Sequence, residues 1–454
     1  MKARAGSVLD AAFRPVDPSS LAVFRVAFGL VLATEGLRFL LAGWGREYYV
    51  DPSFHFTYWG FGWVRPWPAW GMDLHFVVLS VASLLVALGL RYRLAAVVVF
   101  LSFSYVFLLE KSRYLNHFYL VIVLAFWLVF LPAHHGASID ARRRGGARPV
   151  PAWAVAALRI QIGLVYLHAG IAKLNADWLR AEPLTTWLEA RRERFAIGWI
   201  LAQDWVAWTF SYGGLLLDLF AWPLLARRAT RVPAFVVITL FHLTNAVTFG
   251  IGIFPWLMIA ATTIFFQPDW PRRLLGRGPR EWSTRAPAPA RRVLVVGACA
   301  LLLALQALIP VRHLLYPGSV HWTEEGHAFS WHMKLRTKRG FATFVARNVE
   351  TGEDVYVDPA SELPYWQYRK MAGRPDMLLQ YAHHIAERMR GEGWSDVAVH
   401  AHVQVSLNSR SYAPLVDPEV DLARVPRGLA HWDWILPLEL PLRSDGVQEA
   451  DGLE

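Results

Sequence analysis

Tyr166, Gly170 and Lys173 stand four and then three residues apart. On a helix this puts a phenol, a gap without a side chain and an amine on one face. Lys173 closes an apolar run that begins near Trp153, and it is the first full positive charge after Arg159. Two roles are open to it. A lysine ending a spanning helix ordinarily snorkels its ammonium into the headgroups, and spacing alone favours that role. An amine partly withdrawn from water can instead act as a base near neutral pH. His117 opens another apolar run, and no other histidine or cysteine lies at ligand spacing from it, so it is not read as a metal ligand. His242 and Asn245 share a helix face and are candidates to line a cavity, although a satisfied core histidine is the more ordinary reading of His242. His383 and His384 are adjacent rather than four apart, a poor metal pair.

The elements that must position these groups are membrane helices. Hydrophobic residues make up 55% of the chain and charged residues 18%, which describes a polytopic membrane protein rather than a soluble enzyme. Apolar segments fall near 19–41, 74–90, 93–109, 116–133, 153–172, 209–226, 232–249, 252–266 and 292–311, so about nine spans are expected. The eighth is short and reads as a tilted or re-entrant partner of the seventh. Arg25, Glu35, Arg38, Arg159 and Asp218 lie inside spans and should face the bundle interior and pair, Arg159 with Asp218 among them.

The net charge of +10 is distributed by position. Lys2, Arg4 and Arg14 precede the first span; Arg91 and Arg93, then Arg142, Arg143, Arg144 and Arg148, then Arg227, Arg228 and Arg231, then the run from Arg272 to Arg292 fill every second loop. Basic loops face the cytoplasm, which puts the N-terminus inside and the C-terminal region outside. Nucleic acid is therefore a poor explanation of the positive charge. The intervening loops, 42–73 and 173–208, are rich in aromatic residues and suit an outer interfacial belt or the roof of a cavity. By this topology Lys173 and His117 lie at the same depth, close to the outer surface. Cys299 is the one cysteine, so an intrachain disulfide, a two-cysteine redox motif and a thiolate zinc site are all excluded. Residues 1–18 are polar and lack the apolar core of a signal peptide, so the first span reads as a retained anchor.

The composition changes near residue 312. Phe341–Val349 and Asp354–Asp358 flank a Glu350-Thr351-Gly352-Glu353 turn, Met377–Arg390 has helical periodicity, and Val397–Leu407 alternates as a strand does. The expected organisation is a helical membrane domain over 1–311 and a small extracytoplasmic α+β domain over 312–454. Arg285–Pro289 reads as a short Pro/Ala-rich linker between them. There is no nucleotide loop, no Ser/His/Asp arrangement and no internal repeat.

Several blocks carry a family resemblance. Ala169-Gly170-Ile171-Ala172-Lys173-Leu174-Asn175-Ala176-Asp177-Trp178 resembles the A-G-V-K-K-L-D-A-D-W segment of the vitamin K-dependent γ-glutamyl carboxylases. Ser20–Arg25, Tyr105–Leu109 followed by Asn116-His117, Gly213–Asp218, Phe241-His242 through Phe254, Phe329-Ser330-Trp331, Val405–Asn408 and Asp417–Asp421 have counterparts in the same order. The likeness runs nearly end to end, and its membrane part resembles the horizontally transferred transmembrane (HTTM) domain.

The resemblance implies an integral-membrane carbon–carbon lyase that couples epoxidation of reduced vitamin K (phylloquinol or menaquinol) by O2 to CO2 addition at the γ-carbon of protein glutamate. By correspondence Lys173 is the base that deprotonates the hydroquinone, and Asn116 and His117 are the pair beside it. Tyr166 and His242 adjoin the cofactor, and Ser330 and Trp331 lie near the peptide glutamate. A glutamate γ-hydrogen is far too weak an acid for a side-chain base, whereas a hydroquinone hydroxyl is within reach of a neutral amine, so the strong base has to form during turnover and away from water. The implied partners are a glutamate-containing protein or peptide and membrane lipid, with no metal and no nucleic acid. Short basic loops without an organelle signal suit a bacterial inner membrane. Two departures bear on peptide handling: His332 stands where the family has an acidic residue after Ser-Trp, and Gly326-His327-Ala328 differs as well. The animal enzymes continue with a large further lumenal portion past the counterpart of Trp432-Asp433-Trp434, so the resemblance does not by itself imply docking through a propeptide. The competing readings are a quinol epoxidase or oxygenase that carboxylates no protein, and a non-enzymatic quinone- or lipid-binding protein or transporter. A transporter would bring inverted repeats, and none is evident.

Overall fold

The computed structural model describes residues 2–194, 198–283 and 287–442. Arg285 and Ala286 of the expected linker, residues 195–197 of the second aromatic loop and residues 443–454 of the expected C-terminal domain lie outside the described residues. Among the described residues seven helices, rather than the expected nine, are long and apolar enough to cross a membrane, and two shorter apolar helices accompany them. The apolar helices are α1 (Ser19–Leu41), α2 (Ala69–Leu88), α3 (Tyr92–Leu109), α4 (Asn116–Phe130), α5 (Ala152–Ala172), α6 (Asp204–Ala226), α7 (Arg231–Phe249), α8 (Phe254–Thr262) and α9 (Pro289–Leu308). Helices α2 and α6 each start five residues before the apolar run that announces them, because helical hydrogen bonding continues through their polar and aromatic first turns.

The chain forms two compact units. The first takes the described residues through Ile171, Gly214–Val311 and the tripeptide Phe329–Trp331. Within it α1 packs along α2, α2 along α3 and α3 along α4. Glycines make the closest approaches. A β-carbon on Gly29 of α1 would stand 2.6 Å from the Ser83 carbonyl oxygen, and one on Gly36 would stand 2.4 Å from Ser80 Oγ. On α5, Gly163 and Gly170 meet Trp222 and Leu219 of α6 in the same way. Lipid gives helices no hydrophobic drive to associate, so such small-residue seams do much of the packing. The gap at Gly170 is thus filled by a neighbouring helix.

The charges inside the spans are satisfied locally. Arg25 is fully buried and donates to the carbonyls of Ala87, Ala133, Gly136 and Ala137, which ties together chain ends that lack helical partners. Glu35 pairs with Arg38 one turn on at 2.8 Å. The expected Arg159–Asp218 pair does not form. Arg159 donates instead to the carbonyls of Ile264 and Phe266 at 2.8 and 2.6 Å, because the chain leaves its helix there and frees those oxygens.

The second unit takes Ala172–Gly213, Arg312–Ala328 and the described residues from His332 onward. Its centre is an antiparallel sheet of β1 (Lys338–Asn348), β2 (Asp354–Val357), β3 (Val397–Leu407) and β4 (Ala413–Pro414), in the order β2-β1-β3-β4. The hairpin register pairs Phe344 with Val357 and Arg347 with Asp354, and the Asn348 carboxamide oxygen accepts from the amides of Glu350 and Thr351 to close the turn. Helix α10 (Pro375–Gly391) lays Leu378, Tyr381, Ala382, Ile385 and Met389 on one face of this sheet.

Candidate active site

In the first unit, the turn between α7 and α8 sets the geometry. Gly250 and Gly252 adopt φ of +58° and +61°, a region that side chains rarely tolerate, and they reverse the chain so that Phe254 opens α8. Phe254 then packs on both His242 and His117, with ring centroids 5.7 and 5.9 Å apart. Tyr166 of α5 completes the group: its hydroxyl lies 3.1 Å from His242 Nε2 and 2.9 Å from Thr262 Oγ1. His242 Nδ1 is buried and has no hydrogen-bond partner among the described residues. If Nε2 accepts from Tyr166, Nδ1 carries the proton and can donate to a ligand oxygen; in the other tautomer it accepts from a ligand hydroxyl.

His117 and Asn116 form the first turn of α4, and the chain before them is organised to present them. The Glu110 carboxylate accepts from the Ser112 amide and caps a short turn over Lys111–Arg113. Tyr114 follows and donates its hydroxyl to Asn116 Oδ1 at 2.9 Å. That hydroxyl also accepts from the Phe329 amide at 2.7 Å. Tyr119, one turn into α4, packs on Phe329 and Trp331 with centroids 4.9 and 5.0 Å apart. Phe329 and Trp331 hold φ of +64° and +59°, which costs backbone strain for residues with bulky side chains. Ser330 and Trp331 are both buried. Asn116, His117, Tyr166, His242, Ser330 and Trp331 therefore all belong to one compact unit.

Lys173 belongs to the second unit, one residue past the end of α5. It is 5% exposed, and its Nζ lies 5.4 Å from the centroid of the Trp178 ring. Asn175 shapes this corner by accepting from the Trp178 amide and donating to the Ala172 carbonyl. Asp177 accepts from Arg410 and Asn408, all at 2.8 Å. Burial opposes its ionisation, but these bonds outweigh it and hold the carboxyl below its ordinary range.

The same unit contains a histidine cluster that no sequence spacing announces. His332 packs against His313, His321 and His327, with ring centroids 4.8, 5.1 and 5.4 Å away. Burial pushes His321 down to about 3, and burial together with its histidine neighbours pushes His332 to about 2, so both rings are neutral at pH 7. Beside them Glu324 meets Arg336 at 2.6 Å, Lys338 at 3.5 Å and His327 at 3.8 Å. Burial alone would raise the Glu324 carboxyl, but Arg336, Lys338 and Arg374 overcome it and hold it low. Among the described residues, no group of three or more His, Cys, Asp or Glu side chains is arranged to hold a metal ion.

The family follows from both halves of the chain. The HTTM domain model matches residues 13–270, and the model for the vitamin K-dependent gamma-carboxylase lumenal domain matches residues 291–440. The chain belongs to the vitamin K-dependent gamma-carboxylase family. It is a carboxylase-like membrane protein, and every residue of the Tyr166–His242–Thr262 group lies in the HTTM part. Glu324, the histidine cluster and Trp331 lie in the part that matches the family's lumenal domain. No solved structure matches the chain.

Sequence reasoning passed over Tyr114, Tyr119, Thr262, Phe254 as a packing partner, His313 and His321, and it met His327 and His332 only as departures from the family pattern, not as a cluster. Tyr114 and Tyr119 carried a signal, since they flank Asn116-His117 at helical reach. The histidines at 313, 321, 327 and 332 carried none, because two short helical segments and the loops after them, rather than one helix or strand, bring them together.

Proposed function

We propose that this membrane protein is a vitamin K-dependent carboxylase and epoxidase acting on glutamate side chains of a protein or peptide. The change balances as hydroquinone, O2, CO2 and a glutamate γ-C–H giving epoxide, water, a γ-carboxyglutamate carboxylate and a proton. When bound, the hydroquinone supplies, through its oxidation by O2, a base far stronger than any side chain. Lys173 takes the hydroquinone hydroxyl proton onto Nζ. Asn116 and His117 hold the hydroxylated ring, and Tyr166 and His242 fix it from a second side. Ser330 and Trp331 hold the glutamate side chain.

The observation that carries the reading is the His242 Nδ1 left without a partner in an aromatic setting of Tyr166, Phe254 and His117. A buried polar atom without a partner is costly, and a hydroxylated aromatic ring offers the missing oxygen together with an apolar face. The test is labelled CO2 incorporation into a glutamate peptide with quinone-epoxide detection on one purified sample. Both products are expected from the wild type with reduced vitamin K. Epoxide without incorporated CO2 would leave a quinol epoxidase, and absence of both would leave a quinone- or lipid-binding protein. In the same assay His117→Ala should lower epoxide formation at least ~10-fold at unchanged metal content. Loss of a stoichiometric metal on that substitution would reassign His117 as a ligand.

We place the basic loops in the cytoplasm and the lumenal-type domain outside, in a bacterial inner membrane. The support is the alternation of arginine-rich loops together with the lumenal-domain match. Protease added to intact spheroplasts should cut beyond residue 312. Cleavage confined to inverted vesicles would reverse the orientation.

A further inference from the structure

Two reactions that must stay in step meet at the first turns of one helix. Asn116 and His117 open α4, and Phe329-Ser330-Trp331 is the stretch of the lumenal-type half that packs into the membrane unit. The tripeptide is fixed to that helix in two ways. Tyr119 meets Phe329 edge to face and Trp331 at a tilt, and Tyr114 donates to Asn116 Oδ1 while accepting from the Phe329 amide. The Tyr114 ring also meets Phe329 edge to face, with centroids 5.5 Å apart. A phenol that both donates and accepts ties its two partners together, since moving either one lengthens a bond of the other. The amide it holds belongs to a residue with φ of +64°, so the Tyr114 bond offsets part of the strain that keeps Trp331 where it is.

We propose that Tyr114 is the positioning residue that couples quinol binding at Asn116-His117 to the glutamate-holding segment Phe329–Trp331. It touches neither reacting atom. A ligand that shifts the Asn116 carboxamide pulls on the Tyr114 hydroxyl, and through it on the Phe329 amide. The glutamate is then seated when the hydroquinone is seated, and the strong base meets its carbon acid rather than water. This assignment rests on the carboxylase reading given above.

The test uses Tyr114→Phe in the full-length protein, which keeps the ring and removes the hydroxyl. Two measurements are made: incorporated CO2 per epoxide formed, and hydrogen exchange of the segment 327–333 with and without bound quinone. The incorporated CO2 per epoxide should fall at least ~5-fold in the variant, whatever the rate of epoxide formation. Quinone should slow exchange at 327–333 in the wild type, and this response should vanish in Tyr114→Phe. A merely structural role would lower both products together and leave their ratio alone. An unchanged ratio with wild-type protection would overturn the Tyr114 assignment and leave the carboxylase reading standing. Wild-type protein that forms neither product overturns that reading, and this inference with it.

Discussion

Lys173→Ala should abolish epoxide formation, small primary amines added to the assay should restore part of it, and Lys173→Arg should stay inactive while folding normally. The expected loss is roughly 100- to 10,000-fold, the range general-base catalysis contributes. Two observations bear on this expectation. A lysine that merely anchors a helix reaches outward to headgroups, whereas Lys173 is 5% exposed and lies over the Trp178 ring. The nearest acidic residue along the chain, Asp177, is engaged by Arg410 and Asn408. A carboxylate held in this way is not spent on the amine. Alanine leaves a space that a small amine can fill, and the amine carries the same basic nitrogen. Arginine keeps the charge but not the function, because a guanidinium is never deprotonated in a protein. Quinone-epoxide yield is the readout, with size-exclusion behaviour in detergent as the fold control. A monodisperse Lys173→Arg protein that still forms epoxide would return Lys173 to the role of interfacial anchor.

How far such a site can be read from the chain depends on what fixes each part. The bundle is legible because a span is a local property: Ser19–Leu41 and Arg231–Phe249 are apolar over the length a bilayer demands, and α1 matches the apolar run to the residue. The sheet is legible for the same reason, since Val397–Leu407 alternates with period two and is one strand. Pairing between distant groups is not local. Arg159 looked for an acid and found the carbonyls of Ile264 and Phe266, which are free because α8 gives way to a tight turn there. Gly170 reads in the sequence as a gap without a side chain, and it is the contact with Leu219, a helix crossing that neither helix predicts alone. The histidine cluster is the extreme case. Its members come from two short helical segments and the loops after them, so periodicity is silent about it, and the replacement of an acid by His332 gains a physical sense only beside His313, His321 and His327.

That cluster and its carboxylate set the second large effect. Glu324→Gln should destabilise the sheet-containing unit by about 3–5 kcal/mol, the cost of removing one partner from a buried ion pair. The charges left behind explain the size: Arg336 at 2.6 Å and Lys338 at 3.5 Å would face a neutral amide, with Arg374 adding to the repulsion. Burial already lowers the Lys338 amine to about 7 even with Glu324 opposing it, and loss of the carboxylate removes that support. At about 2–4 °C per kcal/mol the unfolding midpoint should drop by on the order of 10 °C. Lys338→Met alone should be nearly neutral, and the double substitution should recover part of the loss, so the two effects should not add. The pH dependence has a definite sign. His321 and His332 bind protons more weakly folded than unfolded, so the folded state is fully favoured above about 6.5 and loses ground as pH falls below it. Each contributes up to about 1.4 kcal/mol of loss per pH unit. Glu324, held low, keeps its carboxylate through that interval, and its own contribution fades only at more acid pH, below its ordinary range. Melting curves at pH 7.5 and 5.5 should therefore separate for the wild type, and should draw together when His321 and His332 are both replaced by glutamine. Equal separation in that variant, or strictly additive midpoints for Glu324→Gln and Lys338→Met, would mean that the cluster is too wet to hold its charges in the way its distances imply.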